Sequence, residues 1–166
     1  MNAVFDELIQ LLDEREVRYV TNEDDQSVCT DLRGDIAAYR VVARVNEDVD
    51  LFQVFGYSPL RAPAGSRPAI AEAVCRANYG LRVGKFELDV DDGELRFQAS
   101  QVLTGETLGE EVIDRLISTT MAMLDLYLPA FLSVIYGNEL PKDAIRHVET
   151  DGCEPCEADH DEGDGA

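Results

Sequence analysis

Cys153 and Cys156, in the run CEPC, with His147 before them and His160 after them, are the residues best suited by type and spacing to hold a metal. Two thiolates at CxxC spacing and two imidazoles satisfy tetrahedral zinc, either adventitiously or in a site bridging two copies of the chain. Three features argue the other way. Only one CxxC is present, the surrounding carboxylates suit hard cations, and the segment offers no framework to orient ligands. A thioredoxin-like role fits less well still, because that motif opens a helix whose dipole lowers the thiol pKa, whereas neighbouring carboxylates raise it. The expectation is that neither a metal nor a cofactor is bound.

The other reactive side chains read more simply. Cys29 falls in a strand and Cys75 in a helix, both as buried small hydrophobes of a reduced compartment. Asp89, Asp91, Asp92 and Glu94 cluster at a turn but lack the spacing of a calcium loop, and turn chemistry accounts for Asp92 and Gly93. Arg40 and Arg44 share a strand face that suits a phosphate or carboxylate, although such arginines usually pair with neighbouring acids. Serine, histidine and acid never meet in a nucleophile-elbow context, and there is no glycine-rich phosphate loop. No catalytic residue emerges, so the chain is expected not to be an enzyme.

The elements that position these groups centre on residues 66–103, a helix followed by a hairpin. Ser66 serves as N-cap, Pro68 sits in the first turn, and Ile70 and Val74 run at helical spacing. Asn78 and Gly80 end the helix, with Gly80 as the left-handed residue. A two-residue Asp92-Gly93 turn predicts that Val90 faces Leu95, Leu88 faces Phe97 and Phe86 faces Ala99, with Asp89 opposite Arg96 on the wet side.

Before that stretch, residues 2–14 form an amphipathic helix, residues 17–21 can begin a strand, and residues 26–32, 36–45 and 51–57 read as strands. Tyr39, Val41, Ala43 and Val45 share one face of the central strand. After the hairpin, Thr107 and Glu110 form a capping box at the head of a long helix that keeps its apolar stripe across Pro129, where a kink is expected. Met121, Met123, Leu126 and Leu132 widen the stripe, for contact with the chain's own sheet or for a subunit interface. Residues 141–148 make one more short helix. The expected organisation is one domain over 1–148 and an acidic, disordered tail over 149–166.

Charge excludes some functions. A net charge of -20 and a pI near 4.2 argue against nucleic acid. The most apolar run, 121–136, is interrupted by Asp125 and Pro129 and falls short of the roughly 20 residues of a bilayer span. The N-terminus is acidic and amphipathic, unlike a secretory signal, so a cytoplasmic location is expected. Lys85 and Lys142 are the only lysines among 14 basic residues. Either the acidity merely solvates the body and tail, or the protein is adapted to high salt, where self-repulsion is screened.

The runs RANYGLRVGKFELDVDD over 76–92, GELR over 93–96 and MLDLYLPAFLSVIYGNELPKDAI over 123–145 resemble the YbjN family across residues 25–147. That resemblance implies an α+β fold similar to type III secretion chaperones, an antiparallel sheet with helices packed on it, in the order α-β-β-β-α-β-β-α and commonly as a homodimer. It supplies no catalytic residues, and it implies a sensory or regulatory role. The favoured function is a non-enzymatic domain, chaperone-like or regulatory, that binds a protein segment of unknown identity along a sheet edge or apolar groove. The alternative is a small-molecule sensor or enzyme with a pocket between the sheet and the long helix, marked by Arg40, Arg44 and an acid of shifted pKa.

Overall fold

In the computed structural model, which describes residues 3–105 and 107–151, six antiparallel strands form one sheet in the order β1-β2-β3-β4-β6-β5. The strands are β1 (Val20–Asn22), β2 (Ser27–Arg33), β3 (Ala38–Asn46), β4 (Leu51–Arg61), β5 (Lys85–Leu88) and β6 (Glu94–Val102). Four helices accompany them: α1 (Ala3–Glu14), α2 (Arg67–Gly80), α3 (Glu110–Tyr136) and α4 (Pro141–Asp151). The fold is therefore α+β; the strand and helix beyond the order α-β-β-β-α-β-β-α are β1 and α4, where residues 17–21 and 141–148 are read from the sequence as a strand start and a short helix.

Alternation decides which side of the sheet is covered. Tyr39, Val41, Ala43 and Val45 of β3, Phe52 and Val54 of β4, and Leu95, Phe97 and Ala99 of β6 are all buried. They meet the apolar stripe of α1 (Val4, Phe5, Leu8, Leu11, Leu12) and that of α3 (Ile113, Leu116, Leu124, Tyr127, Phe131) in one core. Gly56 lets α3 settle close to β4, since a Cβ there would stand 2.5 Å from Leu124 and 2.6 Å from Thr120. Phe86 lies edge-on to Phe97 at 4.9 Å and to Tyr127 and Phe131 at 5.2 Å each, which fills the space between the sheet and α3 with rings.

At 27 residues α3 is long and apolar enough by length and composition to cross a bilayer, contrary to the shorter run expected, yet its stripe is spent on the sheet. The helix is continuous through Pro129. Met121, Met123, Leu126 and Leu132 are half-buried against the chain's own core.

Several local expectations are corrected. The hairpin register is Leu88 with Leu95, Glu87 with Arg96 and Phe86 with Phe97, two residues away from the expected pairing. The cause is a longer loop. Asp89 closes it by donating its N–H to the Glu94 carbonyl at 2.9 Å, while its carboxylate accepts the Asp91 N–H at 2.8 Å. A slip of two preserves the faces, so Phe86 and Phe97 stay in the core, but Val90 is exposed rather than packed. Gly80 ends α2 without a positive φ; the left-handed glycine is Gly84, at +75°, on the way into β5. Ser66 is the last residue of a 3-10 turn and makes no side-chain cap.

The Thr107–Glu110 box does not form either. Gly109 caps α3 at φ +87°, and Glu7 of α1 reaches over to accept the N–H groups of Leu108 and Gly109 at 3.0 and 3.1 Å. A carboxylate at a helix N-terminus does the same electrostatic work from a different element. Strand β4 runs four residues beyond the expected end at Tyr57, through an irregularity before Arg61. Helix α4 runs to Asp151, so the helical body extends past residue 148.

Candidate functional site

Helices α1, α2 and α3 pack on one side of the sheet, and no described element covers the other. That open face is built by the alternate residues of the same strands. Register places Asp31, Arg40, Tyr57, Arg96 and Glu87 in one row across five strands. The next row holds Cys29, Val42, Phe55, Gln98 and Lys85.

Phe55 is the centre of this face. It is 6% exposed, yet it lies outside the core cluster, because the groups that bury it are guanidinium planes. Arg44 stands over the ring at 5.1 Å and Arg96 at 4.8 Å. Such stacking is worth about 0.5–1 kcal/mol per cation at a partly exposed site. Both arginines are held from behind: Arg44 donates from Nε to Gln53 at 2.9 Å, and Arg96 donates from Nε to Glu87 at 2.8 Å. Burial raises the Glu87 carboxyl, but hydrogen bonds from Lys85 and Arg96 outweigh it and leave its pKa below the ordinary range.

Arg40 and Arg44 do not converge. Arg40 pairs with Asp31 at 3.4 Å and lines a cleft of about 440 Å³ with Tyr57, Pro59 and Arg61. Arg44 lines a different cleft with Asp24, Asp25 and Asp48, and among the described residues it pairs with no carboxylate. Among the described residues, Glu87, Asp92 and Asp125 are held below the ordinary carboxylate range, toward the ionised form. The position between sheet and α3, where a small-molecule pocket is expected in the alternative reading, is filled by Phe86, Tyr127 and Phe131.

The hairpin tip is structural. Arg61 holds Asp92 at 2.6 Å, and Arg67 donates to the carbonyls of Ala62, Val90 and Asp91 at 3.1, 3.2 and 2.8 Å. Gly93, at φ +82°, lies so close to Ala62 that a Cβ would stand 2.1 Å from its carbonyl oxygen. Within the acidic cluster, Arg61 also reaches Glu94 at 3.5 Å and the Asp89 carboxylate accepts the Asp91 N–H at 2.8 Å. Asn78 works as a strand surrogate: its Oδ1 accepts the Phe86 N–H at 2.7 Å and its Nδ2 donates to the Phe86 carbonyl at 2.9 Å. The side chain thus ties α2 to the free edge of β5, which sequence reasoning missed because it treated Asn78 only as a helix terminator.

Asp125 was missed for a similar reason. Its place in the α3 pattern suggests solvent, but its carboxylate accepts the N–H groups of Asp35 and Ile36 at 2.7 and 3.0 Å and the buried Tyr39 hydroxyl at 2.7 Å.

A family model matches residues 5–133; it is YbjN, described as "Putative bacterial sensory transduction regulator". The chain belongs to the YbjN family. The crystal structure of E. coli YbjN, there called "a putative transcription regulator", is similar at a TM-score of 0.54 and 15% sequence identity, covering 80% of this chain and 89% of that one. No curated protein matches. At that identity the structural likeness speaks for the fold alone, and the α+β order of the YbjN family is what the sheet and helices here display.

Of the metal candidates, Cys153, Cys156 and His160 lie outside the described residues. His147 is exposed on α4, with Nδ1 2.7 Å from Glu139, and no group of three metal-ligating side chains occurs among the described residues. Cys29 is half-buried, and Cys75 is exposed rather than buried as expected.

Proposed function

We propose that this YbjN domain is a non-enzymatic, regulatory protein-interaction module, chaperone-like in the sense that it holds a protein segment against the uncovered side of its sheet. The observation that carries the reading is Phe55, an aromatic ring buried by Arg44 and Arg96 instead of by the core. Arginine planes over an aromatic ring present stacking surface and directed N–H donors together, a combination enriched where proteins recognise one another. The family description as a regulator favours the same reading. A cytoplasmic setting, with protein rather than nucleic acid or membrane as partner, agrees with the acidic composition.

The test is capture of a protein partner by the full chain, compared with Phe55→Ser and Arg44→Glu variants and with Arg115→Ala on α3. Capture that survives in Arg115→Ala and drops at least tenfold in both face variants supports the reading. Equal capture by all four proteins refutes it.

A further inference from the structure

Helix α4 is the most loosely tied of the four helices. It begins after residue 133, where the family model ends, and among its described side chains only Pro141, Ala144 and Ile145 are buried, with Val148 half-buried. Its ion pairs stay local: Arg146 joins Asp143 within the helix, and His147 joins Glu139 in the turn before it. Among the described residues one side-chain hydrogen bond crosses from α4 to the rest of the fold, donated by the Tyr127 hydroxyl to Glu149 at 2.9 Å. The other helices are fastened more firmly. Asn78 ties α2 to both backbone groups of Phe86, Asp125 ties α3 to three donors, and Glu7 ties α1 to two amides ahead of α3.

Few polar ties and a small apolar seat mark an element that opens on its own, at less cost than global unfolding. Residues 137–140, which carry no helix or strand and place Asn138 at φ +52°, are the pivot.

The seat is a notch between α2 and α3, both of which α4 contacts, with Tyr127 at its floor. The fit is incomplete. A cleft of about 300 Å³ remains along the seam, lined by Arg76 and Tyr79 of α2 and by Lys142, Ile145, Arg146 and Glu149 of α4, and the Tyr79 ring is 96% exposed. A helix with a larger apolar side chain in place of Ile145 would fill space that α4 leaves and cover part of that ring. It would therefore hold the notch better than α4 does, which is the condition for displacing it.

We propose that α4 is a strap, and that the notch beneath it receives an amphipathic helix of a partner protein, with a bulky apolar residue where Ile145 stands and a carboxylate four positions later to accept the Tyr127 hydroxyl. The notch lies on the helical side of the sheet, away from Phe55, so its failure leaves the function proposed above standing, and the reverse.

Native-state hydrogen exchange of the full chain tests the opening. Amides of α4 are expected to be about 100-fold less protected than those of β3, and to share one value from Ile145 to Val148, as a unit that opens whole does and a fraying end does not. Protection equal to that of β3, or a gradient falling steadily along α4, overturns the strap. A fluorescent peptide of residues 138–151, native or carrying Ile145→Phe, then stands in for the partner helix. The Ile145→Phe peptide should bind the wild-type chain about tenfold tighter than the native one, and both should bind about tenfold tighter still to a full-length Ile145→Asp variant, whose own strap is expelled and whose fold is checked by circular dichroism. Equal affinity of the two peptides for the wild-type chain, or no binding, overturns the notch as a helix site even if the variant does not fold. A wild-type dimer in light scattering that is lost in the Ile145→Asp variant would give the notch to the strap of a second copy and overturn a separate partner.

Discussion

Removing the Asp125 carboxylate should be among the costliest single changes in the domain, although no catalytic group is touched. Its two oxygens receive three hydrogen bonds from residues about 90 positions away: Asp35 N–H on Oδ2, and Ile36 N–H with the Tyr39 hydroxyl on Oδ1. Tyr39 is 0% exposed, so its hydroxyl finds no water when the acceptor is lost. A charge-assisted hydrogen bond contributes about 1.5–3 kcal/mol, and an abandoned buried donor costs about 1–3 kcal/mol. Because the two loop amides can still reach solvent, Asp125→Ala is expected to cost about 3–4 kcal/mol. In Asp125→Asn the amide nitrogen replaces one oxygen and faces a donor, for about 2 kcal/mol, and Tyr39→Phe should lose only about 1 kcal/mol. The assay is urea unfolding of all three variants and of the Asp125→Ala, Tyr39→Phe pair. In the double variant the two effects should fall short of their sum by about 1 kcal/mol, because the second change removes a hydroxyl already without its acceptor. A cost below 1 kcal/mol for Asp125→Ala, or simple additivity, would refute the idea that this carboxylate fastens the β2–β3 turn to α3.

Asn78→Ala should cost about 1–3 kcal/mol and speed hydrogen exchange at the Phe86 amide more than at amides of β3, as hydrogen–deuterium exchange would show. Gly93→Ala should lower the melting temperature markedly, measured by calorimetry, since it needs both a positive φ and space already held by the Ala62 carbonyl. Stability should stay level above about pH 5 and fall below about pH 4 in acid titrations, because Glu87 and Asp125 have depressed folded pKa values and lose their contribution as pH drops through them. On the alkaline side, burial and a carboxylate acceptor raise the Tyr39 and Tyr127 hydroxyls, so stability present below about pH 10 should decline above it. Folding stability is also expected to rise from low to molar KCl; a flat or falling response would argue against salt adaptation.

What the sequence disclosed was periodicity. The two-residue rhythm of Tyr39, Val41, Ala43 and Val45, and the stripe of α3, survive into the fold because burial of a whole face leaves few alternatives. What it concealed were polar groups whose partners lie far along the chain. Glu7 serves a helix that begins about 100 residues later, and Asp125 looks like a solvent residue in its own helix. The hairpin illustrates the intermediate case. Asp-Gly announces a turn, but Asp89 adds its own loop hydrogen bonds and lengthens it, a competition between two legitimate turn signals. The open face was half visible, in the shared side of Arg40 and Arg44, while Phe55 was recognisable only once Arg96 arrived from β6.

The margins of the sheet carry a last implication. Its outermost strands, β1 and β5, are three and four residues long, and the second of these begins with a lysine. So short a border offers little template for a foreign strand or for stacked copies that would grow into fibrils. Association should therefore depend on side chains meeting flat surface, and be reversible by modest changes in ionic conditions, instead of locking through shared backbone.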